Sequence, residues 1–369
     1  MMYAGMVAGL LMLVLGGDFL VSGASRLATR FGVSSLVVGL TVVAFGTSAP
    51  EMAVSINAAL GGSHDIALGN VVGSNIYNVL FILGIAAVIT PLVVAEQMVR
   101  REVPIMIASS IALLVLALDG RLSRVDGILL ACGIVAYTVY SVVDGRRATR
   151  SAAAALAEAN PEEKSPSKDE PQGWRSHPLV SVAYVIGGLV ILVMGSRLLV
   201  EGAVTLARGW GISELVVGLT IVAMGTSLPE LSASVIAALK GEGDIAVGNV
   251  VGSNIFNILA VLGFSTIVAP EGLPVPRGAL TFDVPVMIAV AVACLPIFYV
   301  GNRVSRWEGM LFVVYAFLYT AYLILDAQKH PLTDGLGVAL FGVAAPLTAL
   351  TIGIYAFRHW RKQKSAAIP

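Results

Sequence analysis

The sequence is short of charge. Asp, Glu, Lys and Arg make up 12% of its 369 residues, about half of what an ordinary soluble domain carries, which is roughly a quarter. The 23 basic and 23 acidic residues cancel, so no basic surplus argues for nucleic acid, and the sorting of charge between loops matters more than the total. Cysteine is scarce as well. Cys132 and Cys294 both fall inside apolar runs, which excludes a disulfide framework or a thiolate metal cluster. The four histidines, His64, His177, His330 and His359, lie at the ends of apolar runs or between them. A membrane-depth serine protease therefore has no His or Lys to serve as base. An aspartyl protease lacks its second acid, because Asp18 is the one Asp deep in an apolar run. The sequence reads as a non-enzyme that needs no cofactor.

What is abundant is apolar length: 57% of the residues are hydrophobic. About 20 such residues cross a bilayer as a helix, and eleven candidate spans can be marked off, at 3–24, 34–60, 66–90, 102–118, 124–143, 179–206, 214–239, 245–269, 283–300, 308–325 and 335–357. The first has no basic segment before it, and 179–206 repeats its pattern deep in the chain, so it is a true span and not a cleaved leader. With the N-terminus outside, 17 Lys and Arg fall on the cytoplasmic side and five, Arg121, Arg124, Arg208, Arg277 and Lys329, outside. This is the positive-inside bias, and it puts the basic tail RHWRKQK in the cytoplasm. Residues 144–178 are rich in Ala, Glu, Lys, Ser and Pro. They read as a flexible cytoplasmic linker with a short helix near 151–159.

Within this apolar chain stand GTSAPE at 46–51 and GTSLPE at 225–230. Each puts a carboxylate where hydrocarbon penalises it, one position after a proline that cannot donate to the helix ladder. The duplication is wider than the hexapeptide. Shifted by 179, residues 39–84 lie on 218–263 without a gap and with about two-thirds identity. Weaker matches pair REVPIMIA at 101–108 with FDVPVMIA at 282–289, and RLSRVDG at 121–127 with RVSRWEG at 303–309. The repeat spans five helices. An odd number sends the second copy through the membrane upside down relative to the first, and inverted repeats of this kind place a transport site at the midplane, where broken helices meet. Glu51 and Glu230 lie about 16 residues into their spans, near the bilayer centre at about 1.5 Å per residue.

GTSAPE and GTSLPE, each followed at fixed distance by GNVVGSNIYN or GNVVGSNIFN, resemble the paired alpha-repeats of the cation/calcium exchanger superfamily, in its prokaryotic sodium/calcium exchanger branch. The resemblance spans nearly the whole chain. It implies an all-α membrane protein with ten core helices in two inverted fives, here with an additional C-terminal helix. The organisation expected is a first repeat at 1–143 with its motif at 39–84, the linker at 144–178, a second repeat at 179–325 with its motif at 218–263, and the extra helix and tail at 326–369. The function implied is antiport of Na+ against Ca2+ by alternating access in a cytoplasmic (inner) membrane, electrogenic and without obligatory protein partners. The alternative is proton-coupled exchange of Ca2+ or another divalent ion.

The residues suit that chemistry. Calcium takes about six to eight oxygens at roughly 2.3–2.6 Å, and Glu51 and Glu230 offer four oxygens and two negative charges. Pro50 and Pro229 leave carbonyls one turn earlier, around Thr47 and Thr226 and near Ala44 and Ala223, without helical donors. The resemblance implies that the Thr47 and Thr226 carbonyls complete the calcium shell, and that hydroxyls with the Ala44 and Ala223 carbonyls form flanking sodium sites. Ser48 and Ser227 stand three residues before each glutamate, and Ser74 and Ser253 four before Asn78 and Asn257, so hydroxyls share the helical faces of the other ligands. Taken alone, Gly69 and Gly73 also fit close helix packing, and Asp65 and Asp244 fit first-turn charges. Potassium-dependent relatives carry an Asp where Asn257 stands here, which predicts potassium independence. Asp18 and Arg197 occupy equivalent positions, 179 apart, and are expected to pair across the helices of spans one and six.

Overall fold

The computed structural model describes residues 2–159, 178–210, 217, 221, 223–350 and 353. Linker residues 160–177, part of the span expected at 214–239, the end of that expected at 335–357, and the basic tail lie outside them. Helix α1 is Met2–Phe31 and is followed by α2, Ser35–Thr47, and α3, Ala49–Leu60. Next come α4, His64–Ile89, then α5, Val103–Leu116, and α6, Arg124–Ala159. The second copy supplies α7, Pro178–Gly209, α8, Ala223–Thr226, and α9, Leu228–Leu239. It continues with α10, Gly243–Val268, α11, Ala279–Tyr299, and α12, Arg306–Ala327, after which α13, Thr333–Leu350, is extra. Among the described residues eight helices are long and apolar enough to cross a bilayer, or nine when α2 and α3, bent by 44°, count as one broken span. The span expected at 102–118 is α5 with a π turn, Met98–Glu102, directly before it, and the described part of that expected at 214–239 includes α8 and α9. The short helix expected near 151–159 is the end of the 36-residue α6.

Four two-residue strands complete the described structure. β1, Leu92–Val93, pairs antiparallel with β4, Arg303–Val304, and β2, Arg121–Leu122, with β3, Leu273–Pro274. Each pair staples a loop of one copy to a loop of the other. Gly272 fits beside β3 because its φ of +77° suits glycine and a side chain there would collide with the Leu122 carbonyl.

The centre of the protein is built from α4 and α10. The membrane-crossing stretch of α10 is buried throughout and that of α4 mostly so, while α1, α7, α12 and α13 expose apolar faces such as Leu11, Leu15, Val190 and Phe317. Such faces suit lipid. Both central helices widen to a π turn at the same place, Asn78–Leu83 and Asn257–Leu262. Widened turns of this kind frequently occur at functional sites.

Helices α1 and α7 pack antiparallel through glycines spaced seven apart, Gly9, Gly16 and Gly23 against Gly188, Gly195 and Gly202. A Cβ on Gly9 would lie 2.7 Å from the Gly195 carbonyl, and one on Gly16 would lie 2.9 Å from that of Gly188. Lipid supplies no hydrophobic drive between helices, so close backbone approach at small residues provides the attraction. This register separates Asp18 from Arg197. Asp18 falls opposite Ile186 and Arg197 opposite Val7, eleven residues or about 16 Å apart along the axis. Asp18 pairs instead with Lys240, its Oδ1 2.6 Å from Nζ, and the same ammonium donates to Ser22 Oγ at 2.7 Å. Both cysteines are free, Cys294 buried and Cys132 exposed.

Candidate ion-binding site

The two hexapeptides are breaks in helices. Ser48 leaves helical geometry with ψ near 4° and Ser227 with ψ near 8°, and a new helix starts at once with proline in its first turn. The ladder is bridged by Ser48 N–H donating to the Ala44 carbonyl at 3.0 Å and Met52 N–H to the Ser48 carbonyl at 3.1 Å. Of the carbonyls expected to be free, one is engaged: that of Ala44 accepts also from Thr47 Oγ1 at 3.4 Å. The carbonyl that Pro50 deprives of a donor is that of Gly46, four residues before it. In the second copy the matching Gly225 carbonyl accepts from Ser196 Oγ on α7 at 2.6 Å.

The breaks bring both glutamates to the centre. Glu51 and Glu230 are fully buried. Among the described residues neither has an ion-pair partner. Their hydrogen bonds cross between copies. Ser227 Oγ donates to Glu51 Oε1 at 3.1 Å, and Ser48 Oγ to Glu230 Oε1 at 3.4 Å. Ser74 Oγ lies 3.4 Å from Ser227 Oγ. Five side-chain oxygens of the sequence-predicted ligands are buried with no hydrogen-bond partner among the described residues: Glu51 Oε2, Glu230 Oε2, Asn78 Oδ1, Asn257 Oδ1 and Ser253 Oγ. Leaving such atoms bare costs about 1–3 kcal/mol each. Hard oxygen donors with two uncompensated carboxylates are the donor set a divalent cation such as Ca2+ requires. Of the remaining sequence-predicted residues, Ala223 begins the short α8.

Four asparagines that the sequence reading passed over belong to the same network. Asn70 Nδ2 donates to the Glu51 carbonyl at 3.2 Å and to Ser55 Oγ at 2.9 Å, and Asn249 Nδ2 does likewise to the Glu230 carbonyl at 3.3 Å and Ser234 Oγ at 2.9 Å. Thr47 Oγ1 reaches across to Asn249 Oδ1 at 3.0 Å. Asn75 and Asn254 exchange side-chain-to-backbone bonds at 3.2 Å each. Their signal was present, since all four sit in the GNVVGSN shared by both copies.

Identical sequence here meets unlike surroundings. Gly248 and Gly252 are buried against the backbone of α2, near Leu36 and Leu40, whereas Gly69 is exposed and Gly73 half-buried, with nothing described within 4 Å of a Cβ. Thr226 is half-buried where Thr47 is buried, and its bond to Asn70 Oδ1 stretches to 3.5 Å. Among the described residues, close packing is seen at Gly248 and Gly252. Asp65 and Asp244 lie in first helical turns, as expected.

A family model described as sodium/calcium exchanger protein matches residues 1–143 and 180–325. The chain belongs to the sodium/calcium exchanger family. It is 38% identical over 292 residues to the inner membrane protein YrbG of Escherichia coli, covering 79% of this chain and 87% of that protein. It is 35% identical over 351 residues to the sodium/calcium exchanger MaX1 of Methanosarcina acetivorans, covering 87% of this chain and 97% of that one. A solved structure of the sodium-calcium exchanger NCX_Mj superposes with a TM-score of 0.72 at 30% identity, over 87% of this chain and 98% of the other. This chain is thus a multi-pass helical membrane protein of an exchanger family, and cation antiport is its class of function.

Proposed function

We propose that this exchanger-family protein moves Ca2+ one way and Na+ the other through the single centre between α2–α3 and α8–α9, by alternating access. The observation that carries the reading is the pair of buried glutamates that have no cationic partner among the described residues and have orphaned oxygens beside them. Glu51 and Glu230 neutralise Ca2+, with the carbonyls at Thr47 and Thr226. Ser48, Ser227, Ser74, Ser253, Asn78 and Asn257, with the Ala44 and Ala223 carbonyls, hold Na+ around it. Hydroxyls and amides are neutral, which suits a singly charged ion.

The ten core helices are taken as two inverted fives, 1–143 and 179–325, with α13 added. The strand pairs support this, since β1 with β4 and β2 with β3 join loops that the positive-inside rule assigns to one same side in each case. The N-terminus is then outside, the linker and tail are cytoplasmic, and the membrane is the inner one. Purified protein in proteoliposomes decides the coupling. Ca2+ uptake driven by an outward Na+ gradient, with no response to a proton gradient, is the expected result. Uptake driven by protons alone would replace this reading with proton coupling.

A further inference from the structure

The buried amides around the π turns form a closed ring of hydrogen bonds. Asn254 is fully committed: its Nδ2 donates to the Asn75 carbonyl at 3.2 Å and to Met106 Sδ at 3.5 Å, and its Oδ1 accepts from Asn78 Nδ2 at 3.0 Å. Asn75 is committed in the same way, donating to the Asn254 carbonyl at 3.2 Å and to Met287 Sδ at 3.5 Å, and accepting from Asn257 Nδ2 at 3.1 Å. With both amide hydrogens and the oxygen used, neither Asn75 nor Asn254 gains by rotating its amide through 180°.

That commitment propagates outward. If Asn78 turned its amide over, its oxygen would face the Asn254 oxygen and its NH2 would take the place of the buried, unpartnered Oδ1. The first change replaces a hydrogen bond by repulsion, and the second offers donors where a cation needs acceptors. Asn257 is held in the same way by Asn75. An aspartate at either place has no N–H to give the ring, so the ring also selects amide over acid.

We infer that Asn75 and Asn254 are positioning residues for ion exchange, each fixing the carboxamide of the other copy's ligand, Asn257 and Asn78 respectively, so that its oxygen faces the cation. The inference rests on the reading of Asn78 and Asn257 as ion ligands, and it makes the two copies mutually dependent. Neither copy orients its own amide ligand.

Double-mutant cycles on the apparent KM for Ca2+ in proteoliposomes test it, with monodispersity in detergent checked for every variant. Asn78→Ala and Asn254→Ala each raise KM by about tenfold, and the pair together does no worse than either alone, because Asn254 acts through Asn78. The mismatched pair, Asn254→Ala with Asn257→Ala, multiplies to about a hundredfold. A merely structural role for Asn254 would lower the maximal rate, leave KM alone, and treat both pairings alike. Equal additivity in the matched and mismatched cycles overturns the inference. An unchanged KM in Asn78→Ala and Asn257→Ala instead overturns the ligand reading itself. If Asn254→Ala does not fold, the cycle of Asn75 with Asn257 puts the same question to the other side of the ring.

Discussion

Ser227 donates to Glu51, and Ser48 to Glu230. Each glutamate is served by the serine of the other motif, although its own motif's serine stands only three residues away. On one continuous helix those two side chains would be neighbours. The break between them turns the serine outward from its own helix and toward the opposite carboxylate.

Removing one of these hydroxyls should therefore affect both copies' ions. Hydrogen bonds to charged groups contribute about 1.5–3 kcal/mol. Ser227→Ala and Ser48→Ala are expected to weaken apparent Na+ affinity by about tenfold or more, read from Na+-dependent Ca2+ efflux at graded Na+. Unchanged Na+ dependence in both would remove the serines from the site.

Glu51→Gln and Glu230→Gln keep shape and lose charge. A buried ion left without one of its counter-charges costs about 3–5 kcal/mol, so Ca2+ exchange should fall by more than about a hundredfold while the protein still elutes as a monodisperse species. Either variant transporting at the wild-type rate would refute the site.

Asn257 and Asn78 leave two acids at the centre. Transport should proceed in potassium-free buffer at an undiminished rate, and Asn257→Asp should alter the ion dependence. If more than two Na+ replace one Ca2+, each cycle carries net charge, worth about 2.3 kcal/mol per 100 mV. Valinomycin-clamped vesicles should then show rates that follow the imposed potential. A flat response would indicate electroneutral exchange.

The α1–α7 contact is open to the same treatment. A Cβ at Gly16 would meet the Leu192 nitrogen at 2.8 Å, backbone that cannot move aside, whereas one at Gly5 meets nothing within 4 Å. Gly16→Val should destabilise the detergent-solubilised protein by about 1–3 kcal/mol or more, seen as a lowered unfolding temperature. Gly5→Ala should be silent.

Much of this was legible in the residues. A repeated Glu behind a repeated Pro singled out the centre, because lipid makes such residues costly and periodicity places them at one depth. The cross-bonding was not legible, since helical phase says which residues share a face and nothing of what stands opposite. Asn75 and Asn254 were missed for that reason, although both copies carry them. The pairing of Asp18 with Arg197 failed on register: the heptad glycines set α1 against α7 so that the two residues lie opposite other positions. The partner of Asp18 is Lys240, from the loop after α9. The proline argument found the break but not the bridge across it, in which the Ser48 N–H reaches back to the Ala44 carbonyl.

The bonds at the centre also say something about how the chain is made. Ser48 waits for Glu230, Glu51 for Ser227, Thr47 for Asn249 and Asn78 for Asn254, partners that lie 176 to 202 positions downstream. At about 5–20 residues per second a ribosome needs roughly ten to forty seconds to deliver them. Through that interval the first half of the newborn protein resides in the bilayer with its glutamate unaccompanied, which makes the moment of synthesis its most vulnerable one.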